Sequence, residues 1–249
     1  MYKGNSMANV RYQQIYSDLK SDILKGLYAR GDLLPSEQQL TKKYGVARNT
    51  IRRSINILTN EGYVQPIHGK GVVVINEQVG IQQAFTLDGI ETFGEIAKKS
   101  NRNIITKVVE FKETICDRKL SDMTGFDEGM ELIYIERVRI MDELKLIYDI
   151  NIYRKDLVPG LNRQIAEDSI YSYIENTLGM IITISKRRFT AEKATPKDKY
   201  LLDLKGFDFL AVVTGQVFNS DGVMFEYTQS RHRPDHFCFT GNSIRTPRK

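Results

Sequence analysis

The sequence predicts an α+β chain of two domains, and three observations carry that reading. Residues 8–75 show helical periodicity followed by a short hairpin around glycines. Residues 91–245 are a succession of strand-like runs with a few short helical segments. The basic charge is concentrated in the first of these parts.

In the first domain, Tyr12, Ile15, Tyr16, Leu19, Ile23 and Leu27 recur at helical spacing and predict an amphipathic helix that runs out near Gly26. Pro35 fixes the chain ahead of Ser36. The pattern Ser36-x-x-Gln39 reads as a capping box, in which the hydroxyl satisfies a free N–H of the first helical turn. The second helix turns Leu40 and Tyr44 inward and ends at Gly45. A third runs from 48 to about 61, with Ile51, Ile55 and Leu58 inward and Gly62 closing it. Two helices across so short a glycine-containing turn predict a helix-turn-helix. Residues 63–67 and 72–75, around His68-Gly69-Lys70-Gly71, predict a hairpin in the position of a wing.

Residues 1–76 carry 11 Lys/Arg against 5 Asp/Glu, while residues 77–249 carry 25 against 26. A polyanion is therefore the expected partner of the first domain alone. On the third helix Arg48 and Arg52 share a face, with Asn49 and Arg53 beside it and Ile51 and Ile55 opposite. Arginine forks fit guanine acceptors, asparagine fits adenine, and hydroxyls such as that of Thr50 fit phosphate at a helix N-terminus. A solvated basic face would explain an isolated helix of this kind equally well. The tight turn and the wing favour double-stranded DNA. His68 is read as a wing contact, with a packing or capping role as the alternative.

Residues 76–90 read as a linker and 91–100 as a short helix. Strand-like runs occupy 104–111, 131–140, 145–153, 180–191, 209–218 and 223–232, with helical segments at 117–124, 169–178 and 196–204. Hairpin signals at Met141-Asp142-Glu143 and Asn219-Ser220-Asp221-Gly222 imply a largely antiparallel sheet. Arg137 and Arg139 alternate on one strand and so project from one face, where two guanidiniums repel unless an anion neutralises them. Thr92 lies at the start of the short helix, a place that suits phosphate. Asp149 and Glu226 interrupt apolar strand runs and are read as inward carboxylates for sugar hydroxyls; Ser169, Tyr171 and His232 would add donors. A surface salt-bridge ladder for the arginines, and ordinary strand-face charges for the carboxylates, remain open alternatives.

The run Leu34-Pro35-Ser36-Glu37, Tyr44-Gly45-Val46, Arg48-x-Thr50-Ile51-Arg52, Leu58, Gly62-Tyr63 and Gly69-Lys70-Gly71 resembles the winged helix of the GntR family over residues 11–75. That resemblance implies operator contacts by Gln38 (a position often basic), Arg48, Asn49, Thr50 and Arg52, with Ser36 beside them. His68, Gly69 and Lys70 would form the wing tip at the minor groove. Ala47 departs from the pattern, since a Ser or Thr usually caps this helix. The second domain resembles the UTRA ligand-binding domain of HutC-type regulators, which shares its fold with a chorismate lyase. The matching stretches are Glu136-Arg137-Val138-Arg139, Asp168-Ser169-Ile170-Tyr171-x-Tyr173-Ile174-Glu175 and Phe225-Glu226-Tyr227-Thr228-Gln229-Ser230-Arg231-His232-Arg233. Within that branch, Leu201-Leu202-Asp203-Leu204-Lys205-Gly206 is similar to repressors of trehalose operons. The resemblance implies a sugar phosphate as effector, trehalose 6-phosphate first, held by Thr92, Phe93, Arg137, Arg139, Asp149, Ser169, Tyr171, Glu226 and His232.

A homodimer is expected, because paired half-sites supply affinity and symmetry on DNA. No run of about 18 apolar residues is present, and residues 1–10 lack the apolar core of a signal peptide, so a cytoplasmic protein with no membrane partner is expected. Cys116 and Cys238 lack metal-ligand spacing, so neither a metal nor another cofactor is expected. The runner-up is a lyase-like enzyme domain fused to a DNA-binding domain. A shared fold does not transfer activity, and no G-x-S-x-G or Cys/His pair supports catalysis.

Overall fold

The computed structural model describes residues 5–76, 84–86 and 104–240, with side chains for 11–76 and 104–239. The described residues fall into two compact units, 5–76 and 84–239, each with its own core.

The first unit holds α1 (Asn5–Leu24), α2 (Glu37–Tyr44), α3 (Arg48–Asn60), β1 (Val64–Ile67) and β2 (Gly71–Val74). Its core joins Ile15, Leu19 and Ile23 of α1, Leu40 of α2, Ile51, Ile55 and Leu58 of α3, and Val64 and Val74 of the hairpin. Both halves of the Ser36–Gln39 capping box are present. α2 stops at Gly45, whose φ of 61° is the left-handed conformation that glycine adopts without a Cβ clash. That cap turns the chain into α3 within three residues. The hairpin pairs antiparallel from Val64 opposite Val74 to Ile67 opposite Gly71. It is not a free two-stranded ribbon, which would be marginal in water. Gly31 N and Leu34 N donate to Val74 O and Val72 O at 2.9 and 2.8 Å, tying the wing to the segment between α1 and α2.

The second unit is built on a fully antiparallel six-stranded sheet in the order β4-β5-β6-β9-β8-β7. The strands are β4 (Ile104–Ile115), β5 (Glu131–Met141), β6 (Leu144–Arg154), β7 (Ile182–Lys193), β8 (Phe209–Asn219) and β9 (Met224–His232). β3 (Ala84–Thr86) pairs separately with β10 (Cys238–Thr240). The sequence reading of 76–90 as linker is corrected here, since part of that stretch is a strand with a partner. The helix expected at 91–100 lies outside the described residues. α4 (Arg118–Thr124) was expected. The helical turn Lys155–Leu157 and α5 (Arg163–Glu167) were not, being too short for a periodicity to register. Residues 169–178 form two consecutive turns, Ile170–Ser172 and Tyr173–Thr177. α6 (Pro196–Leu201) ends earlier than expected because Leu202 is already extended.

Register shifts decide which side chains share a face of the sheet. Asp142 and Glu143, both at positive φ, make the two-residue turn from β5 to β6. A register shift at Arg139/Ile140 then sets Arg137 opposite Asp149 and Arg139 opposite Ile147. Similar shifts lie between Val108 and Glu110, between Ile182 and Ile184, and between Val217 and Phe218. Since the side-chain period of a strand is two, each shift moves everything beyond it to the other face. The outcome is one face carrying Arg137, Arg139, Asp149, Asn151, Tyr153, Glu226, Thr228, Ser230 and His232. One end of that face is apolar and packs Ile133, Ile135, Val217 and Phe225 against Ala166, Ile170 and Ile174 of the helical turns. On the opposite face Val138, Tyr148 and Val212 pack against Leu201, Leu202 and Leu204.

Candidate functional site

In the first unit α3 presents Arg48, Asn49 and Arg52 to solvent, with side chains 72% exposed for Arg48 and 60% for Arg52. Both arginines are gathered by Glu37 in the first turn of α2. Arg48 Nε donates to Glu37 Oε2, and Arg52 Nε to Glu37 Oε1 at 3.2 Å. The hydrogen bond from Arg48 holds the Glu37 carboxyl below the usual carboxylate range. Arg53 turns the other way. Its guanidinium lies 3.8 Å from the centre of the Tyr12 ring, and Ser54 Oγ donates to Tyr12 O at 2.8 Å, so this side of α3 is fixed to α1. Gln38 is exposed, and Thr50 is half-buried. Ser36 is exposed, but its Oγ accepts from Gln39 N at 3.2 Å, which makes it a helix cap first. His68, Gly69 and Lys70 form the exposed wing tip. Ala47 has the extended backbone of an N-cap and no side-chain hydrogen bond.

In the second unit the polar end of the sheet face holds a buried network. Arg139 Nε donates to Asp149 Oδ2 at 2.8 Å and its Nη1 to Thr106 Oγ1 at 2.6 Å. Ser230 Oγ donates to the other Asp149 oxygen at 2.6 Å. Arg137 is 5% exposed, yet every group it bonds is neutral. Its Nε and Nη2 donate to Asn151 Oδ1 at 3.2 and 2.8 Å, and its Nη1 to Ala166 O at 3.2 Å. Among the described residues no carboxylate stands within ion-pair distance of it. The Asn151 amide passes the contact on, its Nδ2 donating to Glu226 Oε1 at 2.9 Å and to Thr228 Oγ1 at 3.1 Å. Tyr153 and Tyr171 also donate to Glu226, at 2.8 and 2.6 Å.

The electrostatics follow from burial. Burial, and next the neighbouring Arg137 charge, pull the Arg139 guanidinium down to about 10 against the opposing attraction of Asp149. Burial alone would raise the Asp149 carboxyl, but Arg139 and Arg137 outweigh it and hold the group below its ordinary value. Glu226 goes the other way, because burial outweighs the three hydrogen bonds that favour its ionised form. Burial depresses His232 to about 4, so the ring is neutral at physiological pH despite Asp149. Such a site, with one buried cation whose direct hydrogen-bond partners are all neutral and with hydroxyls, an amide and a neutral imidazole around it, suits a polar anion.

The model of the bacterial regulatory proteins of the gntR family matches residues 11–74, and that of the UTRA domain matches residues 99–238. The chain belongs to the GntR family and carries a UTRA domain. The HTH-type transcriptional regulator TreR of Bacillus subtilis is 34% identical to this GntR protein over 92% of the chain and 95% of its own length. The transcriptional repressor NagR of the same species is 24% identical, over 92% of each chain. Among solved structures, the B. subtilis protein YydK superposes with a TM-score of 0.76 at 21% identity over 94% of this chain and 99% of its own, a likeness of fold. The effector-binding domain of the B. subtilis trehalose repressor superposes with a TM-score of 0.53 at 34% identity, covering 57% of this chain and 99% of that domain.

The fold thus brings together Arg137, Arg139, Asp149, Tyr171, Glu226 and His232 in one half of the sheet domain. Ser169 caps the turn that begins at Ile170, its Oγ accepting from Ser172 N at 3.3 Å, and is half-buried. Thr92 and Phe93 lie outside the described residues. Both Asp149 and Glu226 already accept hydrogen bonds from protein donors. These contacts fix the positions of Arg139, Asn151 and the two tyrosines. Sequence reasoning overlooked Thr106, Asn151, Tyr153, Thr228 and Ser230. Counting by two from Asp149 along β6 would have recruited Asn151 and Tyr153.

Proposed function

We propose that this GntR protein is a homodimeric repressor of a sugar-uptake operon that acts in the cytoplasm. It releases its operator when a phosphosugar binds, with trehalose 6-phosphate the effector. Arg48, Asn49, Thr50, Arg52 and Gln38 read the major groove, and the wing tip at His68, Gly69 and Lys70 reaches the minor groove. The observation that carries the effector reading is Arg137, a buried guanidinium whose partners are all neutral. A doubly ionised phosphate would supply the missing charge through bidentate hydrogen bonds. Unphosphorylated trehalose would leave that cation uncompensated. The family pattern would add Thr92 and Phe93 to the effector-binding set, and the names of the TreR relatives support trehalose. The domain is read as a sensor and not an enzyme, in line with relatives named as regulators.

For release, the ligand must prefer a dimer conformation unsuited to the operator spacing, since equal affinity for both conformations shifts nothing. Calorimetry with trehalose 6-phosphate, trehalose and glucose 6-phosphate, on wild type and Arg137→Ala, tests the proposal. Trehalose 6-phosphate should bind wild type at least about a hundredfold more tightly than trehalose, and Arg137→Ala should lose most of that preference. Equal binding of trehalose and its phosphate, or turnover of the ligand, would sink it. Sedimentation should give a dimer, and footprinting an inverted repeat.

A further inference from the structure

We infer that Glu37, which neither the operator-reading set nor the core accounts for, is the residue that sets the sequence specificity of the GntR winged helix by positioning Arg48 and Arg52 together. The inference rests on the assignment of those arginines to the major groove. One carboxylate serves both: Oε2 accepts from Arg48 Nε and Oε1 from Arg52 Nε at 3.2 Å. In each guanidinium the bond to Glu37 uses Nε, and among the described residues neither makes another hydrogen bond. The two terminal nitrogens, the fork that fits guanine O6 and N7, are left for DNA. Glu37 is itself held, because it opens α2 directly behind the Ser36–Gln39 capping box. Two exposed arginines that would otherwise sample many rotamers are thereby pre-set from a rigid helix end.

A carboxylate at a DNA surface has no attraction for phosphate and weakens the non-specific term, which depends on net positive charge. Its gain must lie in orientation, and so in base reading. Removing the charge should therefore move the two kinds of binding in opposite directions. A residue that merely stabilised α2 would move both the same way.

The test begins by selecting a preferred duplex from a random library with the full-length wild-type protein. Fluorescence anisotropy then compares that duplex with a scrambled one for wild type, Glu37→Gln, Glu37→Ala and Arg48→Ala, with stoichiometric titration fixing the active fraction and thermal melting checking the fold. Both Glu37 variants should bind the selected duplex about tenfold or more weakly and the scrambled duplex at least as tightly as wild type. Repeating the selection with Glu37→Gln should return sites degenerate at the guanines that wild type requires. A specific-to-scrambled ratio equal to wild type in both variants would overturn the inference, as would a parallel fall on both duplexes. Failure of the wild type to select any sequence, or wild-type specificity in Arg48→Ala, would instead fault the groove assignment itself.

Discussion

The two halves of the molecule place their functional charges in opposite physical settings. On the winged helix Arg48 and Arg52 stand in solvent and share one carboxylate. In the sheet domain Arg137 and Arg139 are buried side by side, one paired with Asp149 and the other with neutral groups alone. Exposed ion pairs contribute little to stability, whereas a buried charge that loses its partner costs a great deal. The surface of the first domain is therefore free to be tuned for DNA without consequence for the fold. In the interior of the second, the cost of a change depends on whether the charge removed has a charged partner.

The largest expected effect is Arg139→Ala. It removes the one ion-pair partner of the buried Asp149 carboxylate, leaving it the Ser230 hydrogen bond and the more distant Arg137 charge, and should lower stability by about 3 kcal/mol in urea unfolding. Arg137→Met, which removes a cation with no direct ion pair but leaves Asn151 Oδ1 and Ala166 O without their donor, should cost less, about 1–2 kcal/mol, while abolishing phosphosugar binding. Equal losses in the two variants would break the distinction between the paired and the unpaired arginine.

Next in size is the pH dependence of the sheet domain. His232 has a folded value near 4, below the ordinary imidazole value of 6.5. Its contribution is therefore complete above pH 6.5 and is lost as pH falls toward 4. Asp149, also depressed, adds loss of the same sign at lower pH. Glu226 is raised, so its contribution is present in acid and fades as pH rises through its folded value. Between pH 7 and pH 4 the His232 share amounts to about 3 kcal/mol. Urea unfolding across that range should show a decline in wild type that His232→Gln flattens. An unchanged slope would mean that His232 is not the buried neutral ring described here.

The contrast between the halves also governs how much could be read in advance. The winged helix was legible almost to the residue, because its signals are local: Ser36 and Gln39 three apart, Gly45 at a helix end, glycines around His68. The strands were legible too, but the pairing around the buried arginines was not. Counted straight from the Asp142-Glu143 turn, Arg137 would face Tyr148 and Asp149 would share the side of Glu136. The bulge at Arg139/Ile140 brings Asp149 round to the arginines, and no residue type announces it. Asn151 was missed for a related reason, since its bridge between Arg137 and Glu226 exists only once three strands are in register. Glu37 was visible as part of a motif, while its contact with two side chains on another helix is tertiary.

On the winged helix, Arg48→Ala or Arg52→Ala should each cost about 1–3 kcal/mol of operator binding in a gel shift, with melting unchanged. A drop in melting temperature without loss of affinity would reverse the comparison between exposed and buried arginines. The smallest effect is Ala47→Ser. The residue already has N-cap backbone geometry, with φ −67° and ψ 150°, so the new hydroxyl should stabilise α3 by about 0.5–1 kcal/mol. No gain in melting temperature would show that another donor already serves that helix end.

The claim that joins the halves is that an anion held by Arg137 weakens operator binding. The most direct measurement is the affinity of the full-length protein for its selected operator, by anisotropy, with and without saturating trehalose 6-phosphate, in wild type and Arg137→Ala. The phosphosugar should weaken wild-type operator binding by about tenfold or more and leave Arg137→Ala unaffected. An operator affinity unchanged by ligand that calorimetry shows to be bound, or equal weakening in both proteins, would contradict it.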